Sequence, residues 1–181
     1  MDRNRLEEIV HALGDRLEGE WLLLGGAVVA LWLEPRRTTE VVDVIGFGGT
    51  AAERHALMEL AVGLGLPVEA INSAADFFVF RIPDWREQVE VFYQGARSVV
   101  YRPSPTLFLL LKIRRLSAQD FTDCLALLAK ARKEGLEHDA QRLTAAFDAL
   151  APTEDAALRE RRARLREALA SCPSKAIDVP E

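Results

Sequence analysis

The apolar positions in the first part of the chain change from helical to strand spacing and back. Leucine, isoleucine and valine recur every three or four residues over 4–17, which predicts an amphipathic helix. The short apolar run Trp21–Leu24 predicts a strand that ends at Gly25 and Gly26. The apolar stretch Ala27–Leu33 then predicts a buried helix that stops before the next proline, because proline cannot continue a helix.

Beyond this helix, β-branched and aromatic residues predict further strands. A helix over 51–64, with Thr50 as its N-cap, separates the first of these strands from the rest. A turn at Pro83 and Asp84 is expected to join the last two strands into a β-hairpin. The predicted strands are Glu40–Phe47, 67–71, 76–82 and 87–93.

The last part of the chain shows helical spacing only. Its predicted helices are 105–116, 119–133, 136–150 and 153–170. We therefore expect an α+β fold in which a mixed α/β lobe over 1–103 is followed by a helical lobe over 104–171, the two forming one compact unit. A flexible tail is expected over 172–181.

Composition and charge restrict the class of protein. The chain has 181 residues, of which 49% are hydrophobic, enough to bury a sizeable core. A net charge of -5 argues against a general nucleic-acid coat protein, although a local basic patch is left open. Cys124 and Cys172 have no close partner in the sequence, so we expect a reducing cytoplasm. The apolar runs are too short for a membrane span, so no membrane partner is expected.

The Gly25–Gly26 pair allows two interpretations. A strand that passes through two glycines directly into a helix leaves backbone N–H groups at the positive end of the helix dipole, where a phosphate can bind. The same pair also serves as an ordinary tight connection, because glycine tolerates backbone conformations that other residues avoid.

Acidic residues on the predicted strands suggest a metal site. Residues two apart on a strand share a face, so positions 41 and 43 point the same way, but only Asp43 is acidic and Val41 is not. Glu90 interrupts an otherwise apolar strand. We expect Asp43 and Glu90 to face each other across neighbouring strands, near the glycine pair. Two such carboxylates, together with a triphosphate, could hold Mg²⁺.

Two segments of the chain resemble the nucleotidyltransferase superfamily, which has the polymerase-beta-like fold. The first, "LLLGGAVVALWLEPRRTTEVVDVI", is similar to the superfamily pattern of Gly-Gly, a helix, an Arg-x-Thr loop and Asp-hydrophobic-Asp on a strand. The second, "PSPTLFLLLKIRRLSAQDFTDCLALL", resembles the helical segment of bacterial members, including toxin-like nucleotidyltransferases of abortive-infection systems. The resemblance implies a mixed sheet with flanking helices and a C-terminal helical lobe.

The resemblance also implies a role for individual residues. Gly25 and Gly26 would contact the phosphates, Arg37 and Thr38 would belong to the loop before the metal strand, and Lys112 would approach the nucleotide. Asp43 and Glu90 would be the catalytic metal ligands. The acids of the helical lobe, of no assigned role, match Asp120 and Asp123. From the residues alone, Lys112 either reaches a ligand or extends its amine out of an apolar face.

Val41 departs from the pattern, because the superfamily has its first aspartate there. Glu40 is the nearest acid, but strand alternation turns it to the other face unless a bulge shifts the register. Loss of a ligand weakens or abolishes Mg²⁺ binding, and with it the main source of catalysis in such transfers.

Three functions therefore remain open. The first is transfer of a nucleoside monophosphate from an NTP to a protein, RNA or small-molecule acceptor, with impaired catalysis. The second is a catalytically degenerate binding or regulatory component of a toxin–antitoxin-like system, and the third is a structural or oligomerising protein without a nucleotide site.

Overall fold

The computed structural model of the protein describes residues 1–172 and Ser174. The chain divides into two compact units, Met1–Pro103 and a second that begins at Ser104. The tail expected over 172–181 lies, apart from Cys172 and Ser174, outside the described residues.

The first unit combines helices with a five-stranded mixed sheet. The expected α+β class is therefore confirmed at the level of a mixed sheet with flanking helices. Its strands are β1 (Gly19–Leu23), β2 (Val42–Gly46), β3 (Ile71–Asn72), β4 (Val89–Gln94) and β5 (Ser98–Pro103). Its helices are α1 (Arg3–Arg16), α2 (Gly25–Val28, continued by a π-helix over Val29–Leu33), α3 (Ala51–Gly63) and the single turn α4 (Asp76–Val79), with short 3₁₀ segments at Val68–Ala70 and Trp85–Gln88.

The strands lie in the order β3-β2-β1-β5-β4. Strand β1 is antiparallel to β2 and parallel to β5, while β4 and β5 form an antiparallel hairpin and β3 runs parallel to β2. Apolar residues of β1 and β2 are almost completely buried, which places the core of this unit around the centre of the sheet. The two strands that carry the candidate site therefore have a rigid support.

The predicted strand at 76–82 is wrong. Asp76–Val79 forms a helical turn instead, with Val79 buried and the neighbouring phenylalanines exposed. The run of aromatic residues matches strand propensity, but a short apolar run does not distinguish a strand from a helix. The hairpin is formed by β4 and β5, and its turn lies at Gly95 rather than at Pro83 and Asp84.

Gly95 suits that turn because α1 passes very close to it. A Cβ placed on Gly95 would lie 2.2 Å from the backbone carbonyl carbon of Gly14. A side chain at position 95 would therefore push α1 away from the sheet.

Within its described residues, the second unit contains four helices where the apolar spacing predicts them. They are α5 (Pro105–Ile113), α6 (Ala118–Glu134), α7 (Ala140–Asp148) and α8 (Ala156–Ala170). Their buried faces are formed mainly by leucine, phenylalanine and isoleucine. Among the described residues, no helix has both the length and the apolar composition needed to cross a bilayer.

Candidate functional site

The candidate site is centred on the close approach of Gly25 and Asp43. Strand β1 leads into Gly25, and the backbone N–H of Leu24 donates to the carbonyl oxygen of Asp43 at 2.8 Å. Gly25 has a φ of 61°, and a Cβ placed on it would lie 2.0 Å from Oδ2 of Asp43. Position 25 therefore excludes a side chain for two reasons: its left-handed backbone and the carboxylate lying against it.

Gly26 makes a similar contact with the loop before β2. A Cβ on Gly26 would lie 2.9 Å from Oγ1 of Thr39. That hydroxyl donates to the carbonyl oxygen of Val41 at 2.9 Å, which fixes the end of the loop just before the strand begins. The two glycines, the loop and Asp43 are thus gathered at one end of β1 and β2.

The helix that begins at Gly25 changes its pitch after one turn. The backbone N–H of Glu34 bonds to the carbonyl oxygen of Val29, five residues earlier, which defines the π-helical end of α2. Ala27 to Leu31 are buried, so the helix is held against the core. Its first residues, Gly25 and Gly26, are half-buried and open the helix beside Asp43.

The loop residues named by the sequence lie beside this turn. Thr38 is exposed, and Arg37 is half-buried, its backbone N–H donating to the carbonyl oxygen of Glu34 at 2.9 Å. Thr39, which the sequence analysis did not single out, makes the contact with the glycine turn. The Arg-Thr-Thr run contained this signal, but it could not distinguish the two threonines.

Val41 lies immediately before β2 and is 38% exposed. Asp43 is half-buried and is paired across the sheet with Asn72 of β3, so their side chains share a face. Asn72 is a polar neighbour that the sequence did not indicate, because its position depends on the pairing of β3 with β2.

The prediction that Asp43 and Glu90 face each other across neighbouring strands is wrong. Strands β1 and β5 lie between β2 and β4, a separation of about 14 Å at the usual spacing of about 4.8 Å per strand. The register also puts Asp43 and Glu90 on opposite faces of the sheet. Asp43 shares the face of Ile45, Leu22 and Tyr101, whereas Glu90 is paired with Arg102, the next residue after Tyr101.

Glu90 is engaged in a different cluster. Its Oε2 accepts a hydrogen bond from the Arg102 guanidinium at 2.5 Å. The same guanidinium lies over the ring of Trp32, 3.8 Å from its centre. Glu90 therefore neutralises an arginine on the edge hairpin and cannot share a metal ion with Asp43 in this arrangement.

Lys112, in the second unit, belongs to a buried ionic network. Its Nζ donates to Oδ1 of Asp120 at 3.1 Å and to Oδ2 of Asp123 at 2.8 Å. Asp120 also accepts two hydrogen bonds from Arg115 and caps the start of α6 together with Ser117. Both carboxylates are almost fully buried, so their charges depend on these partners.

The partners of Asp120 decide its ionisation. Burial by itself would raise the pKa of Asp120, but the hydrogen bonds from Arg115 and the charge of Lys112 outweigh it and hold that pKa well below the usual value for an aspartate. The carboxylate therefore stays charged throughout the neutral and mildly acidic range.

Comparison of the chain with models of known protein families, with curated proteins and with solved structures found no match. Within the part of the chain that the structure describes, no group of three or more histidine, cysteine, aspartate or glutamate residues is arranged to hold a metal ion.

Replacing Gly25 with alanine should destabilise the first unit by about 2–4 kcal/mol, because it adds backbone strain and a collision with Asp43. Gly19→Ala is the matched control: Gly19 has a φ of 98° but nothing within 4 Å of its missing Cβ, so only the strain is added. Chemical denaturation measures both changes. Adding Asp43→Ala should recover part of the Gly25→Ala loss, and purely additive effects would contradict the contact.

Replacing Asp120 with asparagine should cost about 3 kcal/mol at neutral pH, because Lys112 and Arg115 would lose their buried counter-charge. Glu134→Gln, which breaks an exposed pair with Lys130, should cost less than about 0.5 kcal/mol. Since the folded-state pKa of Asp120 is lowered, its contribution is complete above about pH 4 and declines as the pH falls below that. Denaturation of both variants at a series of pH values tests this; a gap between Asp120→Asn and the natural protein that does not narrow in acid would refute it.

Proposed function

We propose that the first unit is a nucleotidyltransferase-like domain that binds the phosphates of a nucleoside triphosphate at Gly25 and Gly26. The observation that carries this proposal is the convergence of the glycine turn, Thr39 and Asp43 at the end of β1 and β2. The resemblance of the sequence to the nucleotidyltransferase superfamily predicts that the glycine pair, the loop and the metal-binding strand lie together. A plain tight turn needs small residues, but it gives no reason for a carboxylate against Gly25.

The charges at this turn limit what can bind. Backbone N–H groups at the start of α2 attract phosphate, while the carboxylate of Asp43 repels it. Mg²⁺ is commonly held by one or two carboxylates together with substrate phosphates, so Asp43 and a triphosphate could share one ion. A second protein carboxylate is missing from this group, because Val41 is apolar and Glu90 is on the other face. The residues therefore do not fit a complete magnesium clamp.

This incomplete set of metal ligands supports only slow nucleotidyl transfer. The enzyme would move a nucleoside monophosphate from an NTP to a hydroxyl of a protein, RNA or small molecule, in the cytoplasm. Metal ligation and charge neutralisation supply most of the rate enhancement in such reactions. An incomplete set of metal ligands therefore impairs catalysis more than it impairs nucleotide binding.

The second candidate is a catalytically degenerate binding or regulatory component, as in a toxin–antitoxin-like system. Val41 favours it, because a valine cannot coordinate a metal at the position where the superfamily has an aspartate. The two candidates share the nucleotide site and differ in turnover.

Titration of the four NTPs with and without Mg²⁺ or Mn²⁺, followed by thermal shift and by pyrophosphate release, tests the proposal. We expect a rise in melting temperature with at least one NTP, and slow or absent pyrophosphate release. Asp43→Asn should weaken the metal-dependent part of the shift, while Glu90→Gln should leave it unchanged. No shift with any NTP would reject the nucleotide site, and rapid release by the natural protein would reject impaired catalysis.

Replacing Val41 with aspartate should raise the affinity for Mg²⁺ in the presence of NTP by about tenfold or more, measured as the Mg²⁺ dependence of the thermal shift. Position 41 is about 6.6 Å along the chain from Asp43 and, if the extended backbone continues, on the same face. Because Val41 is 38% exposed, the new carboxylate keeps contact with water and costs little stability. Val91→Asp, at an exposed valine of β4, is the matched control. Equal metal responses for Val41→Asp and the natural protein would show that Val41 is not the defect.

A further inference from the structure

Exposed apolar side chains are concentrated in one stretch of the first unit. Among the described residues, eight large hydrophobic side chains are exposed, and six of them fall between positions 58 and 80. These six residues, called the phenylalanine patch below, are Met58, Val62, Val68, Phe77, Phe78 and Phe80. Single exposed apolar residues are ordinary, but a continuous group is typical of an interface.

Three residues of the patch, Met58, Val68 and Phe80, border adjoining depressions of the surface. Arg54 and Leu57 of α3 line two neighbouring depressions. One is bordered by Phe80, and the other, a groove of about 340 Å³, is bordered by Met58 and Val68 and by β3. A buried cavity of about 150 Å³ is already enough for a benzene ring. The groove therefore has room for an aromatic side chain.

The patch also carries the residues that could fill such a groove. Phe77 and Phe78 are 54% and 59% exposed and pack edge to face, with ring centres 5.5 Å apart. The guanidinium of Arg81 covers one side of Phe77 at 3.6 Å, which orients that ring. Projecting rings and a groove thus occur on the same patch, as an interface between two identical surfaces requires.

We infer that the phenylalanine patch is the contact surface of a homodimer, in which a second copy of this chain covers the same patch. The apolar area favours it: a buried aromatic side chain covers about 150–250 Å², so the three half-exposed phenylalanines contribute on the order of 300 Å². With Met58, Val62 and Val68, the patch supplies more than half of the roughly 800 Å² per partner of a standard interface.

The charges around the patch favour a second copy over a nucleic acid. Arg54 and Arg81 are exposed beside it, and so are Glu59 and Glu69. Away from a two-fold axis, residue i of one copy contacts residue j of the other and j contacts i, so a patch with both signs of charge can be complementary to itself. A nucleic-acid surface would instead show an excess of basic residues.

Sedimentation velocity of the full chain over about 1–200 µM, the range of weak to moderate interfaces, tests the inference. The mass of the natural protein should rise from 20.1 kDa toward twice that value. The double variant Phe77→Ser/Phe78→Ser should associate at least about 100-fold more weakly, because each dimer loses four apolar side chains. Met58→Lys, on α3, should act in the same direction. Val91→Ser, an equally exposed residue on β4, should leave association unchanged.

Circular dichroism melting of each variant shows whether its fold is retained. Because the two patch variants change different elements, the test stays valid if one of them unfolds. A natural protein that stays monomeric over the whole range overturns the inference, even if another protein or an RNA is found to bind the patch. A dimer that persists in both patch variants, or that is lost in Val91→Ser, overturns it as well.

Discussion

The antiparallel pairing of β1 with β2 is the constraint on which the candidate site depends. Through this pairing, the chain leaves β1 at Gly25 just where β2 presents Asp43, and a backbone hydrogen bond of 2.8 Å from Leu24 fixes the approach. The strands are held at ladder spacing, so the carboxylate can only lie against position 25 if that residue has no side chain. The glycine and the aspartate are therefore a matched pair, and each limits what the other position can hold.

The sequence predicted this pair because its signals are local. Two glycines after an apolar run and an acid within a β-branched run are short-range patterns, and they led to the right turn and the right strand. The order of strands is a long-range property. Nothing near Glu90 in the sequence shows that β1 and β5 separate it from Asp43, and the aromatic residues at 76–82 suggested a neighbouring strand where the chain forms a helical turn. Asn72 was missed for the same reason, because its place beside Asp43 depends on the pairing of β3 with β2, whereas Thr39 was missed because the Arg-Thr-Thr run does not distinguish its two threonines.

In the second unit, the buried ionic network already binds the amine of Lys112. Two carboxylates already hold its amine, and Arg115 balances the second negative charge, so the group is neutral as a whole. The turn that supports it is strained: Leu116 is buried with a φ of 38°, and Arg161 of α8 donates to its carbonyl oxygen at 2.8 Å. Such a network stabilises one arrangement of α5, α6 and α8, and any ligand of Lys112 must compete with its aspartates.

The π-helical end of α2 has a consequence for the evolution of this surface. A π turn completes about the same rotation as an α turn with one residue more, because each of its residues turns the helix by less than the roughly 100° of an α-helical residue. Deleting one residue upstream of Trp32 within Val29–Leu33 would therefore restore regular winding and leave Trp32 facing Arg102, with Gly25 and Gly26 also in their places. One residue can thus be gained or lost inside this helix while the turn at its start and the aromatic contact at its end are both inherited.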